Sequence, residues 1–305
     1  MKIVLISFIS RSGSTLLANN LSKDSRFCVC PEAEILTDTL LSSPEKILTN
    51  IQYKKLLTAS QSNYKLKYWN IDFPLFNEKI THINFFKLIL KAYQKKHYPD
   101  SKIIVFKSER LENFKTEDYN EFYKIVLVRD PRAIYLSQKT SKSSIGNVVM
   151  NKNPIRIAKK TDIIYKSYIK TANRELLIKF EDYITNPIEE SKRIANFFGI
   201  DNLSNDFEYR LLKQIPLAQK HLHVNIKRKM NPGVIDKWMK QLTEYEIYTI
   251  EKNCCFLKAA GYEKVIRKDQ IRKTAYYFFV VKIVMKDIAN KLTKKRLRIL
   301  IDNCS

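Results

Sequence analysis

The stretch that decides the fold comprises residues 2–21 and reads KIVLISFISRSGSTLLANNL. Its apolar start, residues 2–7, is rich in β-branched side chains and predicts a buried strand. The leucines and Asn20 near its end recur with helical spacing. Between strand and helix lies the polar segment Arg11-Ser12-Gly13-Ser14-Thr15. We therefore predict a strand, a tight loop, and a helix that begins in that loop.

Similar apolar runs recur along the chain with helical patterns between them. Residues 102–106 and 123–128 predict two further buried strands, and residues 175–179 predict a weaker fourth. Alternating strands and helices favour an α/β fold, a P-loop-like parallel sheet flanked by helices on both faces. Ligands of such sheets bind at the carboxyl ends of the strands. Helices are predicted over residues 31–41, 82–97, 154–170, 187–198, 243–254 and 271–298.

The composition narrows the class of protein. With 305 residues and 45% hydrophobic residues, the chain is long and apolar enough for a globular core. Its five cysteines are odd in number and form no C-x-x-C pair, so we expect reduced thiols, no metal, and a cytoplasmic protein. No apolar run reaches the length of a transmembrane helix, and the short apolar N-terminus does not predict a signal peptide.

The formal net charge is +24, and one segment stands out within it. Residues 264–298 contain twelve Lys or Arg and two Asp. We divide the chain into a main domain, residues 1–262, and a basic helical extension, residues 263–305. The extension predicts a basic amphipathic helix whose apolar stripe is Tyr277, Val281, Val284, Ile288 and Leu292. This helix has three interpretations: packing on the domain through the stripe, peripheral contact with an anionic membrane through residues 271–298, or docking of a polyanion.

The segment between the first strand and its helix predicts an anion site. Backbone N–H groups and hydroxyls at a helix N-terminus attract oxyanions, and Arg11 adds a cation with bidentate geometry. It is not a nucleoside-triphosphate loop, because Phe8 and Ser14 stand where that pattern requires glycine and lysine. A divergent P-loop kinase is therefore disfavoured. A purely structural serine-rich cap stays open at this point.

A second polar cluster follows the strand at residues 123–128. Arg129 ends this strand, Asp130 caps the next helix, and Pro131 lies in its first turn. Ser137 lies eight residues after Arg129, on the second turn, where it can share an oxyanion with that arginine. A plain strand-to-helix junction needs Asp130 and Pro131, but neither the arginines nor Ser137.

Together these two clusters resemble the signatures of sulfotransferases that use 3′-phosphoadenosine 5′-phosphosulfate (PAPS). The segment 11–17 is similar to the 5′-phosphosulfate loop, and residues 128–133 with Ser137 are similar to the 3′-phosphate motif. The resemblance implies that Arg129 and Ser137 hold the 3′-phosphate of the donor. The Arg-Ser-Gly sequence is nearer the carbohydrate and tyrosylprotein branch than the cytosolic small-molecule branch.

Further segments extend the resemblance to residue 262. Lys107 resembles the strand-end lysine that stabilises the sulfuryl group during transfer, together with Arg11. Lys237 resembles a lysine that reaches the donor phosphates. Phe180 departs from the pattern, since the family has tyrosine at this place. The resemblance implies PAPS as the only cofactor, as donor substrate, with no metal.

The general base has several candidates. By position after the first helix, Glu32 matches the catalytic glutamate of this branch, with Glu34 as its neighbour. Either one can instead merely begin the helix at residues 31–41, where carboxylates are favoured. His221 and His223, in a long late loop, are the other route.

The sequence thus predicts in-line transfer of a sulfuryl group from PAPS to a hydroxyl, on a carbohydrate or glycolipid acceptor. Residues 37–80 and 140–153 are expected to form the loops that select this acceptor. A non-enzymatic protein that binds anions or nucleic acid is the alternative suggested by the charge. The sulfotransferase interpretation itself predicts no specific nucleic-acid partner.

Overall fold

The computed structural model describes residues 1–74, 79–114, 121–141, 150, 153–169, 174–204 and 231–302. One sheet has five parallel strands in the order β2-β5-β1-β6-β7, and β3 pairs with β4 in a small antiparallel ribbon. The strands are β1 Lys2–Phe8, β2 Phe27–Cys30, β3 Ile47–Leu48, β4 Ile80–Thr81, β5 Ile103–Ser108, β6 Phe122–Val128 and β7 Glu175–Lys179.

Helices cover both faces of the large sheet, and short 3₁₀ turns lie at Leu111–Asn113, Pro232–Val234 and Lys268–Gln270. The α-helices, numbered in chain order, are α1 Ser14–Leu21, α2 Glu34–Ser42, α3 Asn50–Ser62, α4 Tyr64–Lys67, α5 His82–His97, α6 Pro131–Thr140, α7 Pro154–Ile169, α8 Phe180–Thr185, α9 Pro187–Phe198, α10 Lys237–Gln241, α11 Glu244–Asn253, α12 Phe256–Ala259 and α13 Lys273–Asp302.

The central strand β1 fixes the position of the core. Its side chains alternate between the two faces of the sheet, as in any strand. Ile3 and Leu5 join a cluster with α2 and α5, whereas Val4 and Ile6 join one with α1 and α9. Because both faces are covered, β1 and its neighbours are almost continuously apolar. The predicted α/β fold with a parallel sheet is confirmed.

The structure differs from the sequence predictions at three places in the first hundred residues. Strand β2 was not predicted, since its four residues pair with β5 at the edge of the sheet and carry little pattern. Helix α2 begins at Glu34 and not at residue 31, so Glu32 precedes the helix. Residues 37–74, predicted as part of an acceptor-selecting loop, are largely helical and contribute to the core. Most of the other predicted loop, residues 142–149 and 151–152, lies outside the described residues.

The last helix, α13, is basic as predicted but does not pack through the predicted stripe. Tyr276 contacts Tyr248 of α11, with ring centroids 5.1 Å apart, whereas Tyr277 on the stripe is 67% exposed. The stripe residues Val281, Val284 and Ile288 are also exposed. Packing instead uses the face one residue earlier in the helix.

Candidate active site

Three parallel strands bring the predicted site residues to one edge of the sheet. Strand β1 pairs with β5 on one side and with β6 on the other, so their carboxyl ends lie side by side. Arg11 and Arg129 lie just beyond the ends of β1 and β6, and Lys107 is the last residue but one of β5. The strand register therefore brings Arg11 close to Arg129, although they are 118 positions apart in the chain.

The loop after β1 contains two residues in the left-handed region. Arg11 has φ 77° and Gly13 has φ 98°, and between them the Ser12 N–H donates to the carbonyl of Ile9 at 3.0 Å. A Cβ at Gly13 would lie 2.3 Å from Cδ2 of Phe180. Glycine is therefore required both by the turn and by the close approach of this ring.

The loop leaves polar groups available at the start of α1. The N-cap residue of this helix is Gly13, which has no side chain to cap the N–H groups of the first turn. The hydroxyl of Ser12 is buried and has no hydrogen-bond partner in the described part of the chain. Ser14 is buried and Thr15 is half-buried in the first turn. Such an end favours an anion electrostatically.

The two predicted phosphate-binding clusters are in direct contact. Arg11 Nε donates to Ser137 Oγ at 3.1 Å, and Arg129 Nη1 donates to the Arg11 carbonyl at 2.9 Å. The Arg129 guanidinium lies 4.3 Å from the ring centroid of Phe180. Arg129 Nε is buried and has no hydrogen-bond partner among the residues described. The structure thus brings the predicted site residues Arg11, Arg129 and Ser137 together.

The electrostatics of the paired arginines favour a bound anion. Burial lowers the pKa of Arg11. Burial also lowers the pKa of Arg129, and repulsion from Arg11 acts in the same direction, while Glu181 and Asp130 oppose it. Two partly desolvated cations that repel each other are stabilised by an oxyanion between them. Residues 11–15 (the donor loop) and the cluster of Arg129 and Ser137 therefore fit a ligand with more than one anionic group.

Glu181 is a buried carboxylate whose negative charge acts on Arg129, and the sequence analysis gave it no role in the site. Glu181 accepts a hydrogen bond from the Asp130 N–H at 2.9 Å and another from the Tyr262 hydroxyl at 2.6 Å. Burial raises the pKa of Glu181, although both hydrogen bonds and the charge of Arg129 oppose this. Its place in the sequence, two residues after the end of β7 in the segment that contains Phe180, is the signal that could have found it.

The second arginine of the cluster, Arg132, serves the fold. It pairs with Asp130 at 2.8 Å and with Glu251 at 2.6 Å, and it is 3% exposed. Its guanidinium also lies 3.8 Å from the ring of Trp238. Because its charge is already paired with two carboxylates, Arg132 connects the segments around the site. Of the two arginines in this cluster, Arg129 is the one that contacts the loop.

Helix α6, which carries Ser137, is anchored at its far end by Glu246 of α11. Glu246 accepts hydrogen bonds from the Tyr135 hydroxyl and from Lys139 Nζ, each at 2.8 Å. Burial raises the pKa of Glu246, whereas hydrogen bonds from Lys139, the Thr243 N–H and Tyr135 lower it. The hydrogen bonds together outweigh burial, so the pKa of Glu246 lies below its ordinary value.

The predicted transfer residues Lys107 and Glu32 form an ion pair. Lys107 ends in a buried position, 5% exposed, with Nζ 5.1 Å from the ring centroid of Phe8. Glu34 instead begins α2 and pairs with Lys65. Of the two candidate carboxylates, it is Glu32 that contacts Lys107. His221 and His223 lie outside the described residues.

Lys237 is the predicted site residue with the weakest structural link. It is exposed at the start of α10, three residues after Val234. The Val234 carbonyl lies 3.5 Å from Arg129 Nη2. The segment that carries Lys237 therefore borders the site, and its contact with a donor stays a prediction.

Comparison with known proteins identifies this architecture. A family model described as a sulfotransferase domain matches residues 2–256. The chain belongs to the sulfotransferase family. Membership of this family makes the protein an enzyme. It argues against the two alternatives, a divergent kinase and a non-enzymatic binding protein. A search of curated protein sequences found no match.

Solved structures similar to this sulfotransferase include bacterial and animal proteins. The sulfotransferase domain from the curacin biosynthetic pathway is 17% identical, with a TM-score of 0.49, covering 87% of this chain and 98% of that one. The sulfotransferase domain from the Synechococcus PCC 7002 olefin synthase is 16% identical, with a TM-score of 0.46, covering 82% and 93%. A mouse sulfotransferase complexed with PAP is 12% identical, with a TM-score of 0.44, covering 84% of each chain.

Residues that follow Glu32 and Lys107 closely in the sequence of the sulfotransferase also form ion pairs. Glu34 pairs with Lys65, and on the same helix Asp38 lies 2.5 Å from Arg110. Two residues beyond Lys107, Glu109 pairs with Lys160 at 3.0 Å. The surface next to the candidate transfer residues is therefore charged and polar.

The described residues contain no group of three or more His, Cys, Asp or Glu arranged to hold a metal ion. Within the same residues, no helix combines the length and apolarity needed to cross a membrane.

Proposed function

We propose that the protein transfers the sulfuryl group of PAPS to a hydroxyl of a carbohydrate or glycolipid acceptor. The observation that carries this proposal is the assembly of Arg11, Arg129 and Lys107 at one sheet edge. Three cations at neighbouring strand ends suit a donor that carries a 3′-phosphate, a 5′-phosphate and a sulfate.

On the donor side, each half of the site has its own task. Ser12, Gly13, Ser14 and Thr15 offer backbone N–H groups and hydroxyls to the 5′-phosphosulfate, with Arg11 beside them. Arg129 and Ser137 bind the 3′-phosphate. The hydrogen bond from Arg11 Nε already holds the Ser137 hydroxyl next to the loop. Lys237 adds a cation from the segment that borders this half. Arg129 Nε and Ser12 Oγ, which have no partner among the described residues, support this fit, because buried polar groups without partners are rare in folded proteins.

On the acceptor side, Glu32 acts as the general base. Its carboxylate takes the proton of the attacking hydroxyl, while the ammonium of Lys107 stabilises the charge that develops on the transferred group. Their ion pair supports this assignment, because it holds the base beside the cation that it works with. Arg11 contributes to the same field from the loop.

The polar surroundings of Glu32 favour a sugar over an apolar acceptor. Glu34 with Lys65 and Asp38 with Arg110 offer hydrogen-bond donors and acceptors next to the base. Sugars present hydroxyls that such groups recognise, whereas a steroid or phenol would desolvate these ion pairs without offering them hydrogen bonds.

The experiment is transfer of labelled sulfate from PAPS to a panel of mono- and oligosaccharides, with binding of PAP measured by calorimetry. Arg129→Ala is expected to weaken PAP binding, and unchanged binding would overturn the donor assignment. Glu32→Gln is expected to lower kcat by about 10²–10⁴-fold while PAP binding is retained. Glu34→Gln is the matched control, and an equal loss of kcat in that variant would reject Glu32 as the base.

The state of the cysteines supports action in the cytoplasm. Cys28 and Cys30 are buried on β2 as free thiols, and Cys254 and Cys255 are also free. Free thiols persist in a reducing compartment. Fractionation of cells with an antibody to the protein tests this assignment, and recovery only from an oxidising compartment would contradict it.

A further inference from the structure

In the described part of the chain, the contacts that fix helix α13 to the body of the protein lie along one face. Tyr276 and Phe279 contact Tyr245 of α11, with ring centroids 6.4 Å and 5.8 Å apart. Further along, Asp287 accepts from Asn153 at 2.9 Å and pairs with Arg156 at 2.7 Å. These contacts hold the helix at the start of α7 as well as on α11, so its orientation relative to the body is set.

A different face of the same helix is apolar and exposed. Tyr277 and Phe278 are 67% and 71% exposed, and Met285 is 62% exposed. Residues 277, 281, 284 and 288 are spaced four, three and four apart, which places them on one side of an α-helix. The stripe extends for about 17 Å along the axis at 1.5 Å per residue. The exposed apolar residues are Tyr277, Phe278, Val281, Val284, Met285 and Ile288.

Basic side chains border this apolar face. Lys282 and Lys286 are exposed on the helix beside the stripe, and the acidic Asp287 is turned toward Arg156. The segment that leads into the helix, residues 263–273, is net basic. Its exposed basic residues Lys264, Arg267, Lys268, Arg272 and Lys273 outnumber the exposed acidic residues Glu263 and Asp269. Positive charge therefore lies beside the apolar face and before it in the chain, whose net charge is already +24.

We propose that this face of α13 binds the surface of an anionic membrane. An apolar stripe with lysine flanks matches a helix that lies in the lipid interface, with the stripe among the acyl chains and the lysines at the headgroups. A second copy of the chain is a poorer occupant, because the same basic flanks would then face each other. Within the described residues no helix can span a bilayer, so the contact is peripheral.

The test uses the full chain with vesicles of phosphatidylcholine alone and of phosphatidylcholine mixed with phosphatidylserine. We expect co-sedimentation with the mixed vesicles, and salt should release the protein. The double change Phe278→Ser and Met285→Ser is expected to weaken binding by about tenfold or more. Both side chains are exposed, so the fold should survive, which thermal melting checks.

Matched variants separate this face from general stickiness. Ile188, on α9, is 71% exposed like Phe278, and Ile188→Ser should leave vesicle binding unchanged. Lys282→Gln with Lys286→Gln should weaken binding to the mixed vesicles only. The proposal is overturned by equal binding to both vesicle types, or by unchanged binding of the Phe278/Met285 variant.

Two other occupants would show themselves in the same experiments. A dimer in sedimentation velocity that the Phe278/Met285 variant abolishes would replace the membrane with a second copy. Retention of the protein by a soluble polyanion, without vesicle binding, would point to a polyanion. Vesicle binding requires neither donor nor acceptor, so a negative result leaves the proposed sulfuryl transfer untouched.

Discussion

Replacing Gly13 with alanine is expected to damage the donor loop and, through Phe180, the neighbouring arginine. The new Cβ would lie 2.3 Å from Cδ2 and 2.4 Å from Cε2 of the phenylalanine ring. The ring is buried, and the Arg129 guanidinium lies 4.3 Å from its centroid. The ring therefore cannot move aside without disturbing Arg129.

Two costs of the Gly13→Ala change can be worked out from this geometry. A residue with a Cβ in the left-handed region, here at φ 98°, loses about 1–2 kcal/mol. Overpacking against a buried ring costs about 1–3 kcal/mol. The free energy of unfolding should fall by about 2–5 kcal/mol. A displaced Arg129 should weaken PAP binding by about tenfold or more, since one charge-assisted hydrogen bond is worth about 1.5–3 kcal/mol.

A double-mutant cycle measured by urea denaturation isolates the clash. Phe180→Ala should cost less in the Gly13→Ala background than in the wild type, with a coupling of about 1–3 kcal/mol. Gly199→Ala is the matched control, because Gly199 has φ 67° with nothing within 4 Å of a new Cβ. It should show the backbone cost alone. Effects of Gly13→Ala and Phe180→Ala that add within about 0.5 kcal/mol would refute the contact as the cause.

Three further predictions concern the lysine at the strand end and two supporting contacts. Lys107→Met should lower kcat by about 10²–10³-fold with PAP affinity nearly unchanged, and an equal loss of affinity would assign the lysine to donor binding. Tyr262→Phe removes the 2.6 Å bond to buried Glu181 and should lower the free energy of unfolding by about 1.5–3 kcal/mol in urea, and no change would show the bond to be unimportant. Glu246→Gln should destabilise by about 1–2 kcal/mol at neutral pH. Because the folded-state pKa of Glu246 is lowered, the difference from wild type should vanish as pH falls from 4.5 through that pKa, and a pH-independent difference would contradict this.

Much of the donor-side geometry follows from local sequence patterns. An apolar strand followed by Arg-Ser-Gly predicts a loop at a helix N-terminus, and Asp130 with Pro131 predicts the start of α6. Since parallel strands end at one edge, Arg11 and Arg129 were expected to meet, and the structure brings them into contact. The roles of these residues toward the donor stay predictions until binding is measured.

The remaining features depend on contacts between distant segments, for which local patterns carry no signal. The carboxylate of Glu181 meets Tyr262 across 81 positions, and Arg132 meets Glu251 across 119. The periodicity of residues 271–298 predicted a helix there, and α13 covers most of that segment. It could not say which side packs, because Tyr276 and Tyr277 are both aromatic and only the position of α11 decides between them.

The pairing of Arg132 has a consequence for the order in which the site forms during synthesis. Three of its partners, Trp238, Glu251 and the carbonyl of Glu263, follow it by more than a hundred residues. Contacts of such separation form late, because the loop between them must close first. A nascent chain that ends before Trp238 contains every donor-loop residue, and Asp130, yet lacks these three distant partners of Arg132. The half of the site built on α6 therefore becomes firm only when nearly the whole domain has left the ribosome.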